Sequence, residues 1–207
     1  MKTYQTGNIR NVVLLGSSKS GKTTLAEAMM FEGKVIDRRG TIEAKNTVSD
    51  NTEVEQIYQR SIYSTPLYTE FMDNKLNIID TPGQDDFVGG VISGFKVADA
   101  GVMIVNATQG VEVGTEIFAR YADQYKMPLI IGVNQLDSEK AGWDTTIDSL
   151  KQTFGNKVVP VQFPVAVGPG FDGFVDVLKQ KFYRFKDENG TREDLEIPAE
   201  YADQAEE

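Results

Sequence analysis

Residues 16–23 read Gly-Ser-Ser-Lys-Ser-Gly-Lys-Thr and fit the phosphate-binding loop pattern G-x-x-x-x-G-K-[ST] at every fixed position. The apolar run 11–15 before the loop predicts a buried strand, and residues 24–30 after it predict a helix. Backbone N–H groups at the start of such a helix point at a phosphate, and the helix dipole favours negative charge there. The pattern therefore predicts a nucleotide-phosphate site.

Two side chains of this loop have types suited to a triphosphate. We expect Lys22 to reach the β- and γ-phosphates and the hydroxyl of Thr23 to ligate Mg²⁺. The other residues expected to line the nucleotide are Gly16, Ser17, Ser18, Lys19, Ser20, Gly21 and Thr24.

Composition narrows the classes of function. The 207 residues include no cysteine and no histidine, which excludes disulfides, thiolate metal sites and an imidazole base. The formal net charge of −10 argues against this acidic chain gripping nucleic acid by itself. No apolar run reaches the length of a membrane span, and the polar first residues do not resemble a signal peptide. We expect a cytoplasmic protein with no membrane partner.

Strands and helices are predicted to alternate along most of the chain. Residues 32–60 are the exception, since they are polar, irregular and too long for an ordinary connection. Continuous apolar strands that alternate with helices predict an α/β fold, a mostly parallel sheet with helices on both faces. The predicted strands are 11–15, 62–71 (an edge strand, because of Pro66), 75–80, 101–105, 128–133 and 158–163. The predicted helices are 24–30, 88–95, 112–125 and 143–154.

Two further segments follow predicted strands at the edge where ligands bind such sheets. In the first, Asp80 can hold Mg²⁺ through water, and Gly83 can bring its N–H to a γ-phosphate. The second contains Asn134 and Asp137, and the carboxylate of Asp137 can accept two hydrogen bonds from the guanine edge. Adenine cannot supply these donors, so the wrong base would leave a buried acceptor unpaired. The order of the motifs predicts a GTP-binding domain.

These segments resemble those of the translational GTPases, and within them elongation factor G and its paralogues. The family's DTPG element corresponds to residues 80–83, its NKxD element to 134–137, and its D-x-x-E-x-E-Q switch pattern to 50–56. Ser61 falls on the switch threonine, so the resemblance implies that Ser61 ligates Mg²⁺ together with Thr23 and Asp80. It also implies a P-loop G-domain fold, GTP and GDP as ligands, and the ribosome as partner of the full-length factor.

The resemblance extends to the end of the chain, where residues 163–165, 173–177 and 196–200 look like the start of the G′ insertion of elongation factor G. It implies a GTP-binding domain over residues 1–157, a truncated insertion over 158–207, and a fifth motif beyond Glu207. Taken alone, strand 158–163 followed by a helix at 173–182 could instead close a small Ras-like GTPase. The match of the last residues to the insertion favours the first interpretation, in which this chain is a fragment of a longer factor.

The chain departs from the family around the chemistry. Gln84 replaces the histidine that orients water, although glutamine does this work in Ras proteins. Gln135 replaces the lysine under the base, Gln59 replaces a switch glycine, and Lys19 replaces the aspartate associated with a monovalent cation. Ser18 and Arg60 replace an apolar pair that flanks the water. We expect Gln84, Lys22, Lys19 and Arg60 to be the residues through which the chain acts on the reacting phosphate.

Three alternative functions are consistent with these sequence features. The first is a GTPase that drives a translocation-type step on the ribosome, with hydrolysis that is slow or dependent on a partner. The second is a binding module that works in its GTP-loaded state with little or no hydrolysis, and the third is a small regulatory GTPase. In each case we expect residues 32–60 to be mobile without GTP.

Overall fold

The computed structural model describes residues 2–187 and 190–206. Within these residues the helices and strands are β1 (Ile9–Leu15), α1 (Lys22–Glu32), α2 (Glu53–Tyr58), β2 (Thr65–Phe71), β3 (Asn74–Asp80), α3 (Val88–Val97), β4 (Ala100–Asn106), α4 (Val113–Tyr125), β5 (Leu129–Asn134), α5 (Trp143–Phe154), β6 (Gln162–Pro164), β7 (Gly173–Asp176), β8 (Lys181–Phe185), β9 (Arg192–Leu195) and α6 (Ala202–Glu206).

The chain forms two compact units. The first contains the residues up to Asn106 together with Glu112–Asn134, and the second contains Ala107–Val111 and the chain from Gln135 onward. The segment Ala107–Val111 groups with α5 because the Ala107 carbonyl accepts hydrogen bonds from Gly142 N at 3.0 Å and Thr146 Oγ1 at 3.3 Å. The domain boundary that the resemblance places between residues 157 and 158 stays a prediction.

A five-stranded sheet in the order β2-β3-β1-β4-β5 forms the centre of the first unit. β3, β1, β4 and β5 run parallel, whereas β2 pairs antiparallel with β3. The prediction of an edge strand with Pro66 is confirmed, since β2 lies at the edge. The carboxyl ends of the four parallel strands meet at one edge of the sheet, which brings the phosphate-binding loop, Asp80 and Asn134 to the same side.

Helices cover both faces of this sheet, as predicted. On one face α1 contributes Ala26 and Met30 to a core with Leu14, Leu67 and Ile78. Neighbouring positions on β1 and β3 point the opposite way because side chains alternate along a strand. There Gly94 of α3 packs against Val13 and Ile79.

The second unit has its own sheet, which is antiparallel in the order β6-β7-β8-β9. Its core consists of Phe163, Val175 and Phe182 with Ala205 of α6. The prediction that strand 158–163 continues the parallel sheet is wrong, because only Gln162–Pro164 is strand and it pairs with β7. The alternative helix at 173–182 is wrong as well, since Gly173–Asp176 form β7 and the last two residues of this range begin β8.

Residues 32–60 are less irregular than predicted, because they include the short helix α2. Its first turn is stabilised by a capping box: Glu55 N donates to Thr52 Oγ1, and the Glu55 carboxylate accepts from Thr52 N. No helix among the described residues is long and apolar enough to cross a bilayer.

The packing of α3 gives a testable pair of variants. A Cβ on Gly94 would lie 2.8 Å from Val13 Cγ2, so Gly94→Ala should lower the free energy of unfolding by about 1–3 kcal/mol through overpacking. For Gly89 in the same helix, no atom beyond the neighbouring helix backbone lies within 4 Å of the Cβ position, so Gly89→Ala should raise that free energy by about 0.5–1 kcal/mol. Urea unfolding of the two variants measures both changes. Equal effects would contradict the packing described here.

Candidate nucleotide-binding site

The phosphate-binding loop joins β1 to α1 and depends on glycines at two points of close approach. Gly16 has φ 136°, and a Cβ on it would collide with the carbonyl oxygen of Ile104. Gly21 has φ 103°, and a Cβ on it would collide with Nδ2 of Asn134. A larger residue would be strained and would collide at either position. The sequence pattern thus places glycine where the backbone needs both its conformation and its size.

Lys22 is 5% exposed and lies across the loop. Its Nζ donates to the carbonyls of Gly16 at 2.8 Å and Ser17 at 3.0 Å. Because an ammonium group has three N–H donors, one remains for a phosphate oxygen. Burial lowers the pKa of Lys22 to about 8, and the carboxylates of Asp80, Asp50 and Glu112 oppose that shift. A bound polyphosphate would favour the charged form.

The three predicted metal ligands lie together. The hydroxyl of Thr23 donates to Asp80 Oδ2 at 2.7 Å and lies 3.2 Å from the hydroxyl of Ser61. Asp80 is fully buried at the end of β3. Burial raises the pKa of Asp80, while hydrogen bonds from Ser49 and Thr23 and the charge of Lys22 oppose this rise.

Sequence reasoning missed two residues of this cluster. Ser49 donates to the same Asp80 oxygen at 2.7 Å, and Asp50 is 4% exposed. Burial raises the pKa of Asp50 to about 6, and the nearby carboxylates of Asp80 and Glu55 act in the same direction. The match of Asp50 to the family's switch pattern was a usable signal, whereas nothing in the sequence distinguished Ser49.

The residues of this cluster fit a bound Mg²⁺. Oδ1 of Asp80 is buried and has no hydrogen-bond partner among the described residues, so it can accept from a metal-bound water. No group of three or more acidic side chains that could hold a metal occurs in the described part of the chain. The ion would therefore rely on the hydroxyls of Thr23 and Ser61, on water and on phosphate oxygens. When bound, Mg²⁺ would neutralise charge on the phosphates.

Gly83 and Gln84 follow β3 and adjoin the loop. A Cβ on Gly83 would lie 2.5 Å from Lys22 Nζ and 2.6 Å from Ser18 N, so only glycine allows this approach. Gln84 is half-buried and extended (φ −98°, ψ 141°). Its carbonyl accepts from Phe87 N at 3.1 Å, which starts the turn that leads into α3.

The predicted base-recognition residues are divided between the two units. Asn134 ends β5 in the first unit, and its Nδ2 donates to the Ser20 carbonyl at 2.9 Å, which ties the loop to the strand. Gln135 and Asp137 belong to the second unit. Gln135 has a left-handed backbone (φ 61°), and Asp137 is exposed.

The residues predicted to supply a cation are exposed. Lys19 has φ 64° in the loop. Arg60 follows α2, and its Nε donates to the carbonyl of Tyr58 at 3.3 Å. Ser18 and Thr24 are also exposed, whereas Ser17 and Ser20 are buried. The catalytic and nucleotide-binding roles assigned to these residues stay predictions.

Comparison with known proteins identifies the family. The sequence model of the elongation factor Tu GTP-binding domain matches residues 7–195. The chain belongs to this family. The elongation factor Tu GTP-binding domain family explains why a phosphate-binding loop, a DTPG segment and an NQLD segment follow one another here.

The similar proteins are longer than this chain. An elongation factor G-like protein of Thermotoga maritima is 36% identical over 91% of the chain and 27% of its own length. Elongation factor G of Mycoplasma genitalium is 33% identical over 99% of the chain and 30% of its own length. A crystal structure of a protein from Thermus thermophilus is 31% identical, with a TM-score of 0.88 over 95% of this chain and 29% of that one. The chain thus spans less than a third of the proteins it resembles.

The α/β G-domain fold and the membership among translational GTPases are thereby confirmed. Within the family, the backbone at Gln59 is notable: this residue ends α2 in a left-handed conformation (φ 50°, ψ 48°). The resemblance places a glycine at this position, and glycine adopts that conformation without strain.

Gln59 gives a second testable variant. Replacing Gln59 by glycine removes about 1–2 kcal/mol of left-handed strain. The added freedom of the unfolded chain offsets about 0.4–1 kcal/mol of that gain. We expect Gln59→Gly to raise the free energy of unfolding by about 0.5–1 kcal/mol. The control is Gln152→Gly in α5, an exposed position of the same residue type, which should lower it by about 0.5–1 kcal/mol. Destabilisation by both variants in thermal unfolding would show that Gln59 is unstrained.

Proposed function

We propose that this chain binds GTP and GDP with Mg²⁺ and is the nucleotide-binding domain of a longer cytoplasmic translation factor that acts on the ribosome in translocation. The observation that carries the proposal is the convergence of Lys22, Thr23 and Asp80 at the carboxyl edge of the parallel sheet. The names of the similar proteins support the ribosome as partner.

Each residue has a defined task under this proposal. The loop's backbone N–H groups and Lys22 bind the phosphates, while Thr23, Ser61 and Asp80 hold Mg²⁺. Asn134 keeps the loop against β5, and Gly83 brings its N–H toward the γ-phosphate. Asp137 accepts hydrogen bonds from guanine, with Gln135 beside the base.

Hydrolysis is expected to be slow. Phosphoryl transfer leaves the protein little covalent work, so the rate depends on positioning water and stabilising charge. Gln84 can position water only when the switch segments close around it. The contact of Arg60 with the Tyr58 carbonyl supports this expectation, because it holds the Arg60 Nε at its own helix end.

A second candidate is a GTP-loaded binding module. It is favoured by the substitutions at positions 18, 19, 59, 60 and 84, which the family resemblance places around the γ-phosphate. A small regulatory GTPase has less support, because the final helix that it needs at residues 173–182 is replaced by strands.

Nucleotide selectivity gives a third test. Asp137→Asn should weaken GTP binding by about 10- to 100-fold. The variant replaces one of the two carboxylate oxygens that accept from guanine by an NH₂ group, which can only donate. Lys22→Ala should weaken the binding of all triphosphates to a similar extent. Displacement of a fluorescent GTP analogue by GTP, ATP and GDP measures these changes.

The control for this test is Asp148→Asn, which changes an exposed carboxylate on α5 and should leave binding as in the native chain. If ATP displaces the analogue from the native chain as well as GTP does, the assignment of Asp137 is wrong.

Hydrolysis gives a fourth test, made by single-turnover measurements on the full-length factor with and without ribosomes. We expect slow turnover in the native protein and at least about tenfold faster ribosome-stimulated turnover in the Gln84→His, Lys19→Asp double variant. Turnover of the native factor at the rate of an ordinary elongation factor G would contradict this expectation. A native factor that promotes translocation without hydrolysis would support the binding-module candidate.

A further inference from the structure

Glu27 is a buried carboxylate on α1 that the nucleotide site does not use directly. It is 1% exposed and lies one helical turn beyond Thr23. Its Oε2 accepts a hydrogen bond from Gly40 N at 2.7 Å, and its Oε1 accepts one from Val48 N at 2.6 Å. Both donors belong to the long segment between α1 and α2, so a single side chain holds that segment at two points.

The residues between these two points form a closed loop, which we call the clipped loop (residues 40–48). Inside it, Thr41 N donates to Asn46 Oδ1 at 2.8 Å, and Ala44 N donates to Thr41 Oγ1 at 3.1 Å. Gly40 is buried, and a Cβ there would lie 2.5 Å from the Asn46 carbonyl oxygen. The clipped loop is therefore compact, and its two ends meet at Glu27.

The clipped loop ends next to the proposed metal site. Ser49 and Asp50 follow Val48 directly, and Ser49 donates to Asp80 Oδ2. Because consecutive Cα atoms are about 3.8 Å apart, fixing the Val48 N–H leaves Ser49 little freedom of position. Glu27 is thus connected to the site through the backbone at Val48.

The chain between α2 and β2 is held in a different way. Glu55 of α2 accepts hydrogen bonds from Ile62 N at 3.0 Å and Tyr63 N at 3.1 Å, so this carboxylate holds the residues that follow its own helix. Burial alone would raise the pKa of Glu55, yet hydrogen bonds from Thr52, Ile62 and Tyr63 outweigh it and lower that pKa. Residues 61–63 contact the phosphate-binding helix through Ser61 and Thr23, both proposed Mg²⁺ ligands.

We propose that Glu27 is a positioning residue that holds the clipped loop against α1 in every nucleotide state and so sets Ser49 and Asp50 beside Asp80. Ordering by GTP is then confined to the part of the segment after residue 50. The nucleotide dependence in this inference rests on the proposed function. The expectation that all of residues 32–60 become ordered with GTP is thereby limited to the residues after position 50.

The variant Glu27→Gln tests this with little change in volume. The amide has one acceptor oxygen, so it can pair with only one of the two N–H groups, and its NH₂ group faces the other. Glu32→Gln is the matched control, since Glu32 is an exposed carboxylate on the same helix.

The experiment has two readouts on native, Glu27→Gln and Glu32→Gln chains. Amide hydrogen exchange at residues 40–50 and 61–63 is followed without nucleotide, with GDP and with a GTP analogue. The Mg²⁺ concentration that half-saturates binding of a fluorescent GTP analogue is measured beside the affinity for GDP in EDTA. A purely structural defect would weaken binding in both metal conditions, whereas loss of positioning raises the Mg²⁺ requirement alone.

In the native chain we expect the Gly40 and Val48 amides to be protected in all three states, and residues 61–63 only with the GTP analogue. Glu27→Gln should exchange at Val48 at least about tenfold faster and need about tenfold more Mg²⁺, with GDP affinity in EDTA unchanged. Glu32→Gln should behave as the native chain does.

Protection of the Val48 amide that appears only with the GTP analogue overturns the proposal. This measurement uses the native chain, so it tests the proposal even if Glu27→Gln fails to fold. An unchanged Mg²⁺ requirement in a folded Glu27→Gln chain overturns it as well. If the native chain binds no guanine nucleotide, the proposed function fails, and exchange without nucleotide still decides whether Glu27 holds the clipped loop.

Discussion

One buried carboxylate oxygen, Oδ2 of Asp80, joins three segments that are distant in sequence. It accepts hydrogen bonds from Thr23 on the phosphate-binding helix and from Ser49 in the segment that follows α1, while Asp80 itself ends β3. Parallel strands make this meeting possible because their carboxyl ends share an edge. The placement of Lys22, Ser61 and Gly83 depends on the same junction, since each lies on a segment that this junction fixes. The site is therefore a consequence of sheet topology together with one hydrogen-bonded acid.

The electrostatics of this junction are complementary to a metal–nucleotide complex. Burial lowers the pKa of Lys22 and raises the pKa values of Asp80 and Asp50, so each charged form is disfavoured by desolvation. A phosphate beside Lys22 would stabilise its ammonium, and a divalent cation beside the two acids would stabilise their carboxylates. A phosphate and a divalent cation bound together would thus oppose both the lowered pKa of Lys22 and the raised pKa values of Asp80 and Asp50.

The sequence predicts the features that repeat a known pattern and misses those that depend on tertiary contacts. Glycines at positions 16 and 21 and the apolar strands were readable because backbone geometry and burial dictate residue type. The helix α2 was missed although Thr52 and Glu55 have capping-box spacing, since the polarity of the surrounding segment concealed it. Glu27 could not be recognised, because an acid on a helix ordinarily faces solvent and only the fold shows its two backbone donors. The roles of the exposed Lys19 and Asp137 stay predictions.

The most direct test of the account is the linkage between Mg²⁺ and GTP binding at Asp80. Calorimetric affinities for a GTP analogue would be compared in Mg²⁺ and in EDTA for the native chain and for Asp80→Asn. We expect the native chain to bind at least about tenfold more tightly with Mg²⁺ and the variant to lose most of that difference while keeping its affinity in EDTA. A native affinity that is the same with and without Mg²⁺, or an equal Mg²⁺ effect in Asp80→Asn, would contradict the assignment of this junction as the metal–nucleotide site.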